Sequence, residues 1–256
     1  TPILNMLWYR SIQATGVTVM PRGQKFNRYG QVDCLERTTG DGPFTVILFH
    51  GYGADASDLA SLHEVMDHPM IGRWIFPNGI IGASGLPFGR AWFPIDLMAM
   101  EKAMQTGDFR DFSQMPAGLN QAIAAANTVI DKAGLDPQYT FIGGFSQGAM
   151  LATAMAMNSP ARFAGIGILS GTFLGAKEWI QAAPKNPHVF FQSHGKQDMV
   201  LPFSGAEKLY NVLRSGGWKG GFLPFSGGHE IPQSVIAGLT TFLDTTMALV
   251  QSPQGS

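Results

Sequence analysis

Residues 139–159 read YTFIGGFSQGAMLATAMAMNS. An apolar start, Tyr139 to Ile142, tightens through Gly143-Gly144-Phe145-Ser146-Gln147-Gly148 and runs on into an Ala/Met-rich segment of strong helix propensity. A strand that turns sharply into a helix with serine at the apex is a nucleophile elbow, and Gly144 to Gly148 supply its G-x-S-x-G spacing. Serine on so tight a turn sits in strained backbone. A side chain two residues to either side would collide with the neighbouring strand and helix, so only hydrogen is tolerated there. Ser146 is therefore the candidate nucleophile.

Working outward, Phe44–Phe49 is a continuous apolar and β-branched run, as expected of a strand buried on both faces. It empties into His50-Gly51-Tyr52-Gly53-Ala54-Asp55, after which Ala56–Asp67 predicts a helix with Asp55 or Ser57 as N-cap. Trp74–Pro77 reads as a short buried strand, and Asn78–Arg90 as a glycine-rich loop with little periodicity. Gly118–Ala133 predicts an amphipathic helix ended by Gly134 and the Asp136-Pro137 turn. Past the elbow, Gly165–Leu169, His188–Gln192 and Gly221–Phe225 read as strands, with helical spacing over Phe203–Ser215 and Ser234–Val250. Near the start, Val17–Met20 and Gln31–Thr39 read as short strands, forming hairpins at one edge of a sheet. Strands alternating with helices of this length imply an α/β fold with a mostly parallel central sheet covered on both faces. The sequence holds no repeat, low-complexity block or linker. Residues 1–256 are thus expected to form one domain, with 1–43 as N-terminal edge strands and 251–256 as a frayed polar tail.

With 45% apolar residues, the 256-residue chain can bury a sizeable core. A formal charge of -1 with 14% charged residues gives no electrostatic footprint for nucleic acid or an anionic membrane. Cys34 is the single cysteine, so no internal disulfide forms, and the absence of a Cys/His cluster at zinc spacing argues against a metal. No unbroken run of about 18 apolar residues occurs, so no transmembrane segment is expected. The start carries no charged n-region followed by an apolar h-region, which points to the cytoplasm. A homodimer is compatible with the sequence.

A serine hydroxyl becomes nucleophilic only when a base removes its proton, and an acid must hold that base in the right tautomer. In an α/β-hydrolase these follow the serine in the order acid, then histidine. His50, His63 and His68 precede Ser146, while His188 and His194 open and close a strand before or beside the best acid. His229 remains, in a glycine-bearing loop, Ser226 to Pro232, just past the last predicted strand. Among the later acids, Asp244 follows His229, Glu207 falls within a helix, and Glu230 adjoins the base. Asp198, in a loop at the carboxyl end of a strand, is the leading acid, with Glu178 as its competitor. Oxyanion donors are expected from the backbone N–H groups of Gln147 and Tyr52.

With these pieces together, the chain resembles the phospholipase/carboxylesterase family, which includes acyl-protein thioesterases and small bacterial carboxylesterases. The resemblance is carried by HGYGADASDL (50–59), RAWF (90–93), GFSQGAM (144–150), HGKQDMVLP (194–202) and GGHEIP (227–232). It implies an α/β-hydrolase without a separate cap domain, a triad of Ser146, Asp198 and His229, and an oxyanion hole from the amides of Tyr52 and Gln147. It also implies hydrolysis of carboxylic esters or thioesters, lysophospholipids among them, without a cofactor. The chain departs from the family pattern at Pro94, where aspartate usually follows the tryptophan-aromatic pair, in a longer Met-rich segment over 95–115, and in its longer start.

That Met-rich segment reads either as an adaptable apolar lid or as ordinary packing over the sheet. Trp92, Met98 and Met100, with Phe173 and Leu174 after the next strand, are the expected contacts of the acyl chain. The leading function is a serine carboxylesterase for short to medium acyl esters. A peptidase-like enzyme, a dienelactone-type hydrolase and a non-catalytic binding protein on the same fold are the alternatives. Peptidases on this fold normally add a large gating domain, dienelactone chemistry commonly uses cysteine at the elbow, and binding proteins typically lose a triad member.

Overall fold

β3 (Phe44–Phe49) is buried at every position, and it lies near the middle of the principal sheet because both its faces are covered. The computed structural model describes residues 24–96 and 115–251. The predicted strand Val17–Met20 and the segment holding Met98 and Met100 lie outside these residues. Among the described residues the principal sheet has eight strands, in the order β1 (Gln24–Tyr29), β2 (Val32–Thr38), β4 (Ile71–Pro77), β3, β7 (Thr140–Phe145), β8 (Gly165–Leu169), β9 (Val189–Gly195) and β10 (Lys219–Phe225). From β4 to β10 every pairing is parallel. β1 and β2 form an antiparallel hairpin, and β2 joins the sheet antiparallel to β4.

Helices cover both faces. On one face lie α2 (Leu119–Lys132), α3 (Gln147–Asn158), α4 (Ala176–Ala182) and α5 (Phe203–Ser215), burying Ile123, Val129, Leu151, Trp179 and Leu209 in a common core. On the other, α1 (Leu62–Val65) and α6 (Gln233–Gln251) pack Leu62, Leu239 and Leu243 with Leu48, Trp74 and Phe76. The central α3 is apolar all round and buried along nearly its whole length, as a helix sandwiched in a core must be. Its small residues let it approach the sheet: a Cβ at Gly148 would strike the carbonyl of Phe49.

Three expectations change. The helix expected over Ala56–Asp67 shrinks to Leu62–Val65, because the preceding residues close i to i+3 turns, such as Asp58 N–H to Asp55 and Ala60 N–H to Ser57, instead of α-helical ones. The loop 78–90 contains β5 (Ile81–Gly82), which pairs antiparallel with β6 (Arg90–Ala91). By length and mean hydropathy of 1.2, α6 is apolar enough to cross a membrane, although threonines and Asp244 interrupt any unbroken apolar run. In the fold, Val235, Leu239, Leu243 and Met247 of α6 are buried, and the helix packs against β8 and β9.

Candidate active site

Ser146 sits between β7 and α3 with φ 54° and ψ -117°, a conformation that costs a non-glycine residue about 1–3 kcal/mol. The turn is held by Ser146 N–H to Leu169 O (2.9 Å) and Met150 N–H to Ser146 O (3.1 Å). The flanking glycines are obligatory for contact reasons. A Cβ at Gly144 would meet the Gly148 backbone, and one at Gly51 would come within 3.4 Å of Ser146 Cβ. The loop after β3 is therefore pressed against the elbow.

At the carboxyl ends of β9 and β10, His229 Nδ1 lies 2.7 Å from Asp198 Oδ2. The Asp198 side chain is wholly buried, and its Oδ1 accepts from the amides of Val200 and Leu201, both at 2.8 Å. Burial by itself would raise the pKa of this carboxyl. Hydrogen bonds from His194 and His229, the charge of His229 and the Leu201 amide overcome that, and hold it well below the usual carboxylate range. The two loops are laced together by Gln197, whose N–H donates to Gly227 O (3.0 Å) while its Oε1 accepts from Gly227 N–H (2.7 Å). The His229 ring rests on Phe145, the residue before the serine, with centroids 4.7 Å apart. Among the described residues no hydrogen bond joins Ser146 Oγ to His229. Contacts of this kind commonly tighten only once substrate is bound.

The other side of the elbow is a lattice of hydrogen bonds. Gln147 is fully buried; its Oε1 accepts from Trp92 N–H (2.9 Å) and its Nε2 donates to Phe93 O (2.7 Å). Trp92 Nε1 donates to His50 O (3.0 Å), and its ring meets Phe49 edge-on at 5.1 Å. His50 Nδ1 donates to Gly51 O (2.7 Å), leaving Nε2 to accept from Gly79 N–H (2.9 Å). Burial pushes His50 down to about 4, so the ring is neutral near neutrality. Gly53 N–H to Arg90 O and Arg90 N–H to Ala54 O, at 2.9 and 2.8 Å, bind the loop to β6. The Tyr52 hydroxyl accepts from Ser84 N–H (2.8 Å). Among the described residues neither the Tyr52 nor the Gln147 backbone N–H donates to any group; Gln147 follows Ser146, and Tyr52 follows Gly51, which is pressed against the elbow.

Several expected site residues fall elsewhere. Trp92 and Leu174 have essentially no accessible surface, so neither presents a face to an acyl chain; Trp92 braces the loop after β3 instead. Phe173 is half-buried against Trp179 and keeps some free surface. Met98 and Met100 lie outside the described residues. The competing acid Glu178 is exposed on α4 and borders a cavity of about 730 Å³ with Met115, Asn120, Gln121 and Trp179, away from His229. Sequence reasoning missed the supporting roles of Gln147, His50 and Gln197. The available signal was a glutamine just after the elbow, at the head of an otherwise apolar helix.

The sheet order, the elbow between β7 and α3, and the loops gathered at the strands' carboxyl ends define an α/β-hydrolase fold. The family model described as Phospholipase/Carboxylesterase matches residues 39–247, and the chain belongs to that family, which places it among the hydrolases. It is 29% identical to acyl-protein thioesterase 1 of Kluyveromyces lactis, over 64% of this chain and 75% of that protein. It is 25% identical to a probable carboxylesterase of Oryza sativa subsp. japonica, over 82% of this chain and 80% of the relative. Among solved structures, esterase PE8 superposes with a TM-score of 0.66 at 27% identity, covering 83% of this chain and 97% of that one.

Proposed function

We propose that the protein is a serine carboxylesterase acting on short to medium acyl esters, with acyl thioesters and lysophospholipids as related substrates. The observation that carries this reading is the 2.7 Å bond between His229 Nδ1 and Asp198 Oδ2, with the imidazole resting against Phe145, the residue before the strained Ser146. Asp198 fixes the tautomer that leaves His229 Nε2 free to act as base. Nε2 takes the Ser146 proton as Oγ attacks the carbonyl carbon, and the Tyr52 and Gln147 amides receive the oxyanion. The tetrahedral intermediate expels the alcohol or thiol, protonated by His229. Water, deprotonated by the same imidazole, then releases the acid and frees Ser146.

Apolar surface near the elbow supports an acyl substrate. Met199 is exposed beside Asp198, and Phe88 is exposed on the loop whose Leu86 packs over Gly53. The names of the relatives, acyl-protein thioesterase and carboxylesterase, support both oxygen and sulfur leaving groups. Phe173, which keeps some free surface, is proposed to meet the acyl chain together with Met98 and Met100. Replacing Ser146 by alanine should lower p-nitrophenyl ester hydrolysis by roughly 10⁶-fold and abolish fluorophosphonate labelling. Near-normal turnover by that variant would sink the assignment.

A further inference from the structure

Asp198 Oδ2 receives two imidazoles, not one. Besides His229, the Nε2 of His194 lies 3.2 Å from it. His194 is the penultimate residue of β9 and is fully buried, and the same Nε2 is 2.9 Å from Leu201 O. A carbonyl oxygen can only accept, so the proton of that bond sits on Nε2, and the N–H is shared between the carbonyl and the carboxylate. Nδ1 of His194 is buried without a hydrogen-bond partner, and a proton there would be a buried donor with nothing to receive it. The ring is thereby held as the Nε2–H tautomer. The other charged residues of the two loops, Lys196 and Glu230, are exposed.

We propose that His194 is a positioning residue of this site: its Nε2–H holds the Asp198 carboxylate in the rotamer that offers Oδ2 to His229, and occupies part of that oxygen's capacity to accept. The proposal rests on the reading of Ser146, His229 and Asp198 as the reacting machinery. His194 itself touches no substrate. Two consequences separate this role from mere packing. With the second donor gone, Oδ2 is left to His229 alone and favours the imidazolium more strongly, so the acid limb of the kcat/KM profile moves to higher pH. The carboxylate is also less well aimed, so kcat falls while KM does not.

The test compares His194→Leu, which deletes the donor, with His194→Gln, whose amide N–H reaches about as far as Nε2. Fluorophosphonate titration counts the folded sites in each. For His194→Leu, kcat should fall roughly 10- to 100-fold, as for loss of a hydrogen bond to a charged group, with the acid limb raised and KM little changed. His194→Gln should restore most of kcat and return the limb toward its original position. An unaltered His194→Leu, or equal losses in both variants with an unmoved limb, overturns the proposal. Should both variants fail to fold, ¹⁵N-histidine spectra of the unaltered protein decide: the Nε2–H tautomer is expected for His194, and the Nδ1–H tautomer refutes the role. Survival of activity in Ser146→Ala would instead strike the triad reading, a result read from a different variant.

Discussion

The two sides of Ser146 are built on opposite plans. Toward β3 and β4, the side of the proposed oxyanion donors is a lattice in which Gln147, Trp92, His50 and Arg90 each tie one backbone segment to another. Toward β9 and β10, the side proposed to handle the proton converges on one carboxylate, with Oδ2 facing two histidines and Oδ1 two amides. The first side must fix the position of neutral N–H groups, a geometric task that many modest bonds can share. The second must fix a charge and a tautomer, and a single atom carries that task. Damage should therefore be graded on the oxyanion side and abrupt on the other.

Among changes to the groups on either side of Ser146, the largest effect is expected from Asp198→Asn. An amide in place of the carboxylate leaves His229 in the wrong tautomer, and kcat on esters should fall by roughly 10⁴-fold. Glu178→Gln, exposed on α4, should leave turnover unchanged, and the reverse ranking would exchange the acid. Gln147→Leu comes next. It keeps the backbone amide but strands the Trp92 N–H and Phe93 carbonyl without their buried partner, so stability to urea should drop by about 1–3 kcal/mol. Ester kcat should fall by roughly 10- to 100-fold, as when a donor to an oxyanion is misplaced. A loss matching that of Asp198→Asn would erase the distinction between the two sides.

Trp92→Phe keeps an aromatic ring but removes the Nε1–H to His50 O and part of the bulk of a fully buried indole. It should cost about 1–3 kcal/mol in equilibrium unfolding and a few-fold in kcat. The smallest signal near neutrality comes from His50. Its folded-state pKa lies below that of the unfolded chain, so the unfolded chain binds the extra proton and stability falls with pH from about 6.5 to about 4. Thermal melts over that window should show a decline that is weaker in His50→Gln, and an equal slope in both proteins would remove His50 as its source.

Much of this plan was open to reading before the fold was known, and the reason is local. Phe44–Phe49, Gly165–Leu169 and Phe203–Ser215 match their predicted limits, because each is a run of uniform pattern bounded by turn residues or proline. Chain order selected Ser146, Asp198 and His229, and the fold brings the last two into contact. The lattice on the oxyanion side was not readable in the same way. Its bonds join residues 55 and 42 positions apart, as in Gln147 to Trp92 and Trp92 to His50, and nothing in a polar side chain's identity names the distant backbone group it will reach. Trp92 misled for the same reason: an aromatic residue beside the elbow suggests a pocket wall until its indole N–H is seen to be spoken for. The helix expected over Ala56–Asp67 failed because composition does not distinguish tight i to i+3 turns from an α-helix.

Among the described residues, Ser146 and Ser170 are the non-glycine residues with positive φ, at the ends of adjacent strands. Ser170 follows β8 and donates its hydroxyl to Glu230 O at 3.4 Å, beside the base loop. At both positions glycine would relax the chain, so a population screened for heat resistance alone should accumulate glycine there. Such a population would gain stability while discarding the proposed nucleophile. Directed improvement of this protein therefore needs a selection that scores turnover and thermal endurance together, with position 146 withheld from variation.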